Sequence, residues 1–256
     1  MNEKEFHDRM FLEEAELFKS PLLHAVRSHV ARVLLREISR AAKPVILSLG
    51  SGDGFYELAM AGCATEIYGM DISPVATAYA AKRAESLGCC NARFITGDVT
   101  RVDQWAGERR FDVICGLATL HHLAEGEMRA LLAKCAALLK DGGRFISIDP
   151  SRRRLVSLLR FLARGKMQTY HSPLEKELLA EEVTNELRLA GFSNVHTTYV
   201  DFFAGPLGWM WPSCPRFVAE CLVFADAILC KIPILKRWAS SFCCVATISK
   251  DRLLRH

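Results

Sequence analysis

Residues 45–58 read VILSLGSGDGFYEL, with Gly50, Gly52 and Gly54 on alternate positions after an apolar run. Glycines placed so closely keep side chains clear of something that must approach the backbone. A nucleotide-triphosphate loop would continue Gly-Lys-Ser/Thr, whereas Gly54 is followed by Phe55 and Tyr56. A dinucleotide fingerprint would need its third glycine one residue later, where Phe55 stands. The tighter spacing suits a nucleoside with a small tail better than a pyrophosphate. Two acids follow at strand ends. Asp71 closes the run in YGMDISP, 21 residues beyond Gly50, where a carboxylate can accept from both hydroxyls of a ribose. Asp98, in FITGDVT, can accept from the exocyclic amine of adenine, or it can cap the helical segment after it. Groups able to move a proton lie farther along: His121 and His122 in GLATLHHL, Asp149 at the end of GRFISID, and His171 in QTYHSP. Imidazole titrates in the useful range, although a cap, a loop anchor or a turn is an equally ordinary use for each of these residues. No HExxH, carboxylate cluster or CxxC spacing occurs, so no metal site is expected.

The elements that must hold these residues alternate. Short β-type runs (VILSL, EIYGM, ARFIT, FDVICG, GRFISI) are separated by helical stretches such as PVATAYAAKRAESLG and EGEMRALLAKCAALLK. The second stretch meets Asp141-Gly142-Gly143, a sequence that commonly ends a helix. Alternation of this kind predicts an α/β, doubly wound, mostly parallel sheet of seven strands, with ligands bound at the carboxyl ends of the strands where their order reverses. Residues 1–43 are read as an N-terminal helical segment and 44–150 as the cofactor-binding core. A basic amphipathic segment at 151–172 is followed by a helix near 173–190 and a strand near 194–200. A hydrophobic insertion at 201–240, loop-like over 202–211, precedes a last strand in SFCCVATISK. All 256 residues are expected to form one domain.

Composition excludes several classes. A net charge of +4 is too small and diffuse to argue for nucleic acid. The polar start MNEKEFHDRMFLEEAELF is unlike a secretory leader, and no apolar run is long enough to cross a bilayer. A cytoplasmic protein with reduced, mostly buried cysteines is expected.

Taken together, LSLGSGDG, YGMDISP, ITGDVT, FDVICGLATLHHL and LLKDGGRFISID resemble the class I S-adenosylmethionine-dependent methyltransferases, and most of all their small-molecule branch that includes quinone and lipid methylases. The resemblance is close over residues 40–150. It implies S-adenosylmethionine as cofactor and a methyl acceptor that is a small hydrophobic molecule. Gly50, Ser51, Gly52 and Gly54 would pass beneath the methionine part, Asp71 and Ile72 would hold the ribose, and Asp98 with Val99 would frame the adenine. Gly116 and Leu117 would line the methionine end. Any base would come from His121, His122, Asp149 or His171. One position departs from the pattern: Ser48 stands where the family usually has an acid that helps order the loop. The Asn/Asp-Pro-Pro-aromatic signature of base-modifying DNA methylases is replaced by GLATLHH, which disfavours nucleic acid as substrate. A nicotinamide-dependent oxidoreductase shares the fold class but not the Phe55 spacing, and a non-catalytic cofactor-binding relative is the reading Ser48 would favour.

The last features concern surroundings. Leu155, Leu158, Leu159 and Leu162 would share one helical stripe, with Arg153, Arg160 and Arg164 opposite, a pattern suited either to a membrane interface or to packing on the sheet. Phe202, Phe203, Leu207, Trp209, Met210 and Trp211 crowd the start of the insertion. A lid, a homodimer contact or a peripheral contact with the inner face of the membrane would each use them.

Overall fold

The computed structural model describes residues 3–13, 20–38, 43–124, 126–155 and 176–249. Seven strands form one sheet in the order β3-β2-β1-β4-β5-β7-β6. They are β1 (Val45–Leu49), β2 (Glu66–Asp71), β3 (Ala92–Thr96), β4 (Phe111–Leu117), β5 (Leu139–Pro150), β6 (Ser193–Asp201) and β7 (Ser241–Thr247). Strands β1 to β5 are parallel, and β7 runs antiparallel between β5 and β6. Order reverses between β1 and β4, so the crevice beyond their carboxyl ends is where such a sheet takes a ligand.

The central strands are continuous apolar runs because helices cover both of their faces. On one face Leu47, Ile114, Phe145 and Phe242 pack against α5 (Val102–Ala106), α6 (Glu127–Leu138) and α7 (Ala180–Leu189). On the other, Ile46, Val113, Ile146 and Val245 meet α2 (Pro21–Ile38) and Met60 of α3 (Phe55–Met60). The N-terminal α1 (Glu3–Glu13) lies against α4 (Pro74–Ser86), whose start is capped by Ser73 with Pro74 in its first turn. All ten cysteines are free thiols, and six are buried.

Three boundaries differ from the sequence reading. Asp141-Gly142-Gly143 does not end a helix: α6 stops at Leu138, and Leu139 already pairs with Phe111 of β4, so the glycines bend the start of β5. Gly142 has φ 70°, and a Cβ at Gly143 would lie 2.8 Å from the Lys140 carbonyl. Helix α7 begins at Ala180 rather than near 173, because Leu178 bridges to Ser151 and the Leu179 N–H donates to the Glu182 carboxylate at 2.9 Å. Residues 204–210 are a helix, not a loop. This α8 (Ala204–Met210) is followed by α9 (Arg216–Leu229), and both pack on α2. The cap of α8 comes from α9: Asp226 accepts from the N–H groups of Phe202, Phe203 and Ala204 at 2.6, 2.7 and 3.2 Å. Of the basic segment, residues 156–172 lie outside the described residues. Arg152, Arg153 and Arg154 are engaged by Glu182, Glu181 and Glu177, so Arg153 meets a carboxylate of this chain.

Candidate active site

The glycine loop is fixed by its neighbours on three sides. From β2, the Met70 carbonyl accepts from the N–H groups of Gly50 and Ser51 at 2.8 and 3.0 Å. From the loop after β4, the Thr119 hydroxyl donates to the Leu49 carbonyl at 2.7 Å, and Ala118 holds a left-handed φ of 53° to bring it there. From the helices, Arg27 of α2 and Arg83 of α4 both reach Asp53 inside the loop, while Arg27 also stacks 4.2 Å above the Phe55 ring.

The three glycines are not equivalent. All have positive φ, between 51° and 72°. A Cβ at Gly50 would sit 2.5 Å from the Thr119 hydroxyl, and one at Gly54 would strike Phe94 and Ala80. Those two are demanded by the protein's own packing. At Gly52 the sole nearby group among the described residues is the Phe11 ring of α1, at 3.2 Å, so α1 supplies a roof over this glycine.

Asp71 ends β2 beneath that roof. Its two oxygens accept from Gly52 N–H at 2.8 Å and Ser73 N–H at 2.9 Å, which ties the acid to the loop and leaves each oxygen a second lone pair. Burial pushes its pKa up, and the N–H groups of Ser73 and Gly52 pull it back. Helix α1 adds partners that the sequence did not announce: the Ser73 hydroxyl bonds Asp8 at 2.5 Å, and the His7 ring meets His122 edge-on with centroids 5.0 Å apart.

Ser48 has a carboxylate against it after all. Its hydroxyl donates to Glu57 of α3 at 2.5 Å. Burial pushes Glu57 up to about 7, against the pull of the Ser48 hydroxyl. The acid absent from β1 therefore enters from the helix nine residues on.

Two of the four base candidates are brought together. His121 Nδ1 lies 3.2 Å from Asp149 Oδ1, and both side chains are buried. His122 is directed instead at His7 and His121. His171 lies outside the described residues. Of the other expected contacts, Gly116 and Leu117 are buried at the end of β4, while Ile72 and Val99 are half-buried. Asp98 is exposed, and its Oδ1 caps the following turn through the Thr100 N–H and hydroxyl at 2.8 and 2.7 Å, the capping role open to it from the sequence. Among the described residues no cluster of His, Cys, Asp and Glu could hold a metal ion.

The pattern of a methyltransferase reaches beyond a few motifs, because residues 46–143 match the family model described as a methyltransferase domain. That stretch of the chain is similar to a methyltransferase domain. S-adenosylmethionine is the methyl donor of this class, and solved structures show how widely its fold is shared. Magnesium protoporphyrin IX methyltransferase from Synechocystis, solved with the bound cofactor, is 14% identical, with 97% of this chain and 98% of that one covered at TM-score 0.61. An S-adenosylmethionine-dependent methyltransferase from Clostridium acetobutylicum is 11% identical over 87% and 92% of the two chains, at TM-score 0.61. The [4+2]-cyclase SpnF is 17% identical over 94% of each chain, at TM-score 0.63. At such identities the likeness concerns the fold alone. No curated protein matches the chain.

The residues of the methyltransferase domain fit an adenosyl donor. Besides the spare lone pairs on Asp71, the Ser51 hydroxyl and Asp149 Oδ2 are buried with no hydrogen-bond partner. Polar groups of this kind are seldom left unpaired in a native interior.

Proposed function

We propose that this protein transfers a methyl group from S-adenosylmethionine to a small hydrophobic acceptor, a lipid, quinone or polyketide-like ring, drawn from an apolar phase. The observation that carries the reading is the bond from Gly52 N–H to Asp71: it joins the glycine turn to the acid at the neighbouring strand end, so that backbone and carboxylate face one ligand. Asp71 and Ile72 would hold the ribose, Gly52 and Ser51 the amino-acid tail, Gly116 and Leu117 the methyl end, and Asp98 with Val99 the adenine. The cofactor supplies an electrophilic methyl group on a good leaving group. What remains for the chain is to align the acceptor, exclude water and, where the acceptor carries a proton, remove it.

The His121–Asp149 pair suits the last task. With the Nδ1 proton donated to Asp149, the lone pair of the neutral ring resides on Nε2, and the buried carboxylate stabilises the imidazolium that forms. The roof of α1 brings Phe11 to Gly52 and His7 to His122, which supports a site screened from solvent. A hydrophobic acceptor is supported by the apolar insertion, and a solved protein of this fold is named as a magnesium protoporphyrin IX methyltransferase. The carboxyl group of Glu57 beside Ser48 supports the catalytic reading over a non-catalytic relative.

Titration calorimetry with S-adenosylhomocysteine tests the donor site. The wild type should bind, and Asp71→Ala should weaken binding by about tenfold or more, one to two lost hydrogen bonds to a charged group. Absence of heat with the folded wild type, or identical behaviour of the variant, would overturn the assignment. Turnover on a lipid extract, lowered about a hundredfold in His121→Ala, would place the base.

A further inference from the structure

The outer face of α9 presents apolar side chains to solvent. Phe217, Cys221, Phe224 and Ile228 recur at helical spacing and are exposed, Phe217 and Phe224 by 76% and 71%. Past the helix end the set continues with Ile232, Ile234 at 79% and Trp238 at 47%. The opposite face of α9 is satisfied: Ala219, Val223 and Asp226 are buried against α2 and α8. Packing among the described residues therefore does not account for the outer stripe, and a contiguous exposed apolar surface of this kind marks an interaction site.

Beside the stripe runs a groove of about 1200 Å³ between α2, β6 and α9, with Phe224 and Ile228 on its rim. Cations line it: Arg32 and Arg36 from α2, Arg216 and Lys231 from α9 and its end, and Lys236 beyond. The acids on its wall are Glu37 and Glu220, and Glu220 is already paired with Arg216 at 3.1 Å. Asp226 below is taken up by three backbone N–H groups. His29 senses the resulting field: burial lowers its pKa, and Arg32, Arg36 and Lys231 lower it further, against Asp226.

We propose that this face docks on an anionic lipid bilayer, with the Phe217–Ile228 stripe entering the hydrocarbon boundary and the groove cations Arg32, Lys231 and Lys236 meeting lipid phosphates. An amphipathic helix lying in the interface has this arrangement, apolar residues on one side and cations alongside. Trp238 at the edge of the stripe suits the headgroup layer. Charge decides against a second copy of the chain as the occupant. A two-fold contact would set this net-positive patch, five cations to two acids, against its own copy, which its charge opposes. No helix among the described residues is long and apolar enough to cross a membrane, so the contact is one of lying on the surface. Docking deepens the proposed function by bringing the protein to an apolar acceptor, yet it is read without any methyl transfer.

Co-sedimentation of the full chain with vesicles tests it. Vesicles of phosphatidylserine mixed with phosphatidylcholine should retain the protein at low salt and release it at high salt, while phosphatidylcholine alone should retain much less. Phe217→Ser with Phe224→Ser should weaken binding about tenfold or more through lost apolar burial, and Lys231→Glu with Lys236→Glu by a similar factor through lost attraction. Both pairs are on the surface, and circular dichroism checks that each variant folds. Indifference to anionic lipid, or retention unchanged in both variants, would overturn the proposal. So would light scattering that shows a dimer dispersed by the phenylalanine pair, since another copy would then cover the face. Binding of S-adenosylhomocysteine, measured separately, keeps failure here distinct from failure of the donor site.

Discussion

Two ends of this molecule bury carboxylates, and they do so by opposite means. Around the glycine loop each acid meets a donor from another element: Asp53 meets Arg27 and Arg83, Asp71 meets two N–H groups, Glu57 meets Ser48 and Asp149 meets His121. At the root of the insertion, two buried acids face each other instead. Asp201, at the end of β6, bonds Asp226, and burial followed by the charge of Asp226 pushes it up to about 8, against the Gly205 N–H that it also accepts at 2.9 Å. Asp226 is acceptor to three further N–H groups. The first arrangement ties the glycine loop to the elements around it. The second is a peg that joins α8, α9 and β6 through the N–H groups of Phe202, Phe203, Ala204 and Gly205.

If that contrast is sound, the largest single effect lies at the peg. Asp226→Ala leaves three buried N–H groups without an acceptor and uncaps α8, so urea denaturation should show a loss of about 4 kcal/mol. Glu57 and Asp201 should then differ in the pH window that each governs. In both, the folded state holds a proton that the unfolded chain has released, so stability falls as pH rises from the unfolded value toward the folded one and levels off above it. For Glu57 that window closes near 7, and for Asp201 near 8. Thermal unfolding followed from pH 4 to 9 should show Glu57→Gln removing about 3 kcal/mol of the decline below 7, and Asp201→Asn removing the part that persists to 8. A slope unchanged in either variant would place the titrating group elsewhere. The smallest effect is expected where acids and bases meet in water. Arg153 and Glu181 are half or more exposed, and Arg153→Ala should change stability by less than about 0.5 kcal/mol.

The same division separates what the sequence made legible from what it hid. Strands β1 to β5 and the loops between them could be read because their cues are local: apolar runs of five or six residues, a glycine turn, an acid at a strand end. The seven-stranded, mostly parallel architecture followed from their alternation. The hidden features depend on residues distant in the chain. Thr119 acts on Leu49 across 70 positions, and the cap of α8 arrives from Asp226, more than twenty positions downstream. A Gly-Pro-Leu-Gly stretch without a local cap reads as a loop, and it becomes a helix because of that carboxylate. Glu57 is the instructive intermediate. It sat in plain view in FYEL, three residues past Gly54 at the first turn of a helix that must fold back over β1, and that position could have flagged it as the substitute for the acid missing at Ser48. The two histidines at 121 and 122 look alike in sequence, and the ring orientations that part them are set by Asp149 on one side and α1 on the other.

The thiols divide along comparable lines. Burial raises Cys115 and Cys244 to about 12 and lifts Cys135, Cys230 and Cys243 as well, so at neutral pH almost none of these sulfurs is present as the nucleophilic anion. Oxidants and alkylating agents would meet the molecule first at Cys90 and Cys221, the two that solvent reaches most freely. Since Cys221 lies within the apolar stripe of α9, whatever covers that stripe also shields one of the two sulfurs most open to attack.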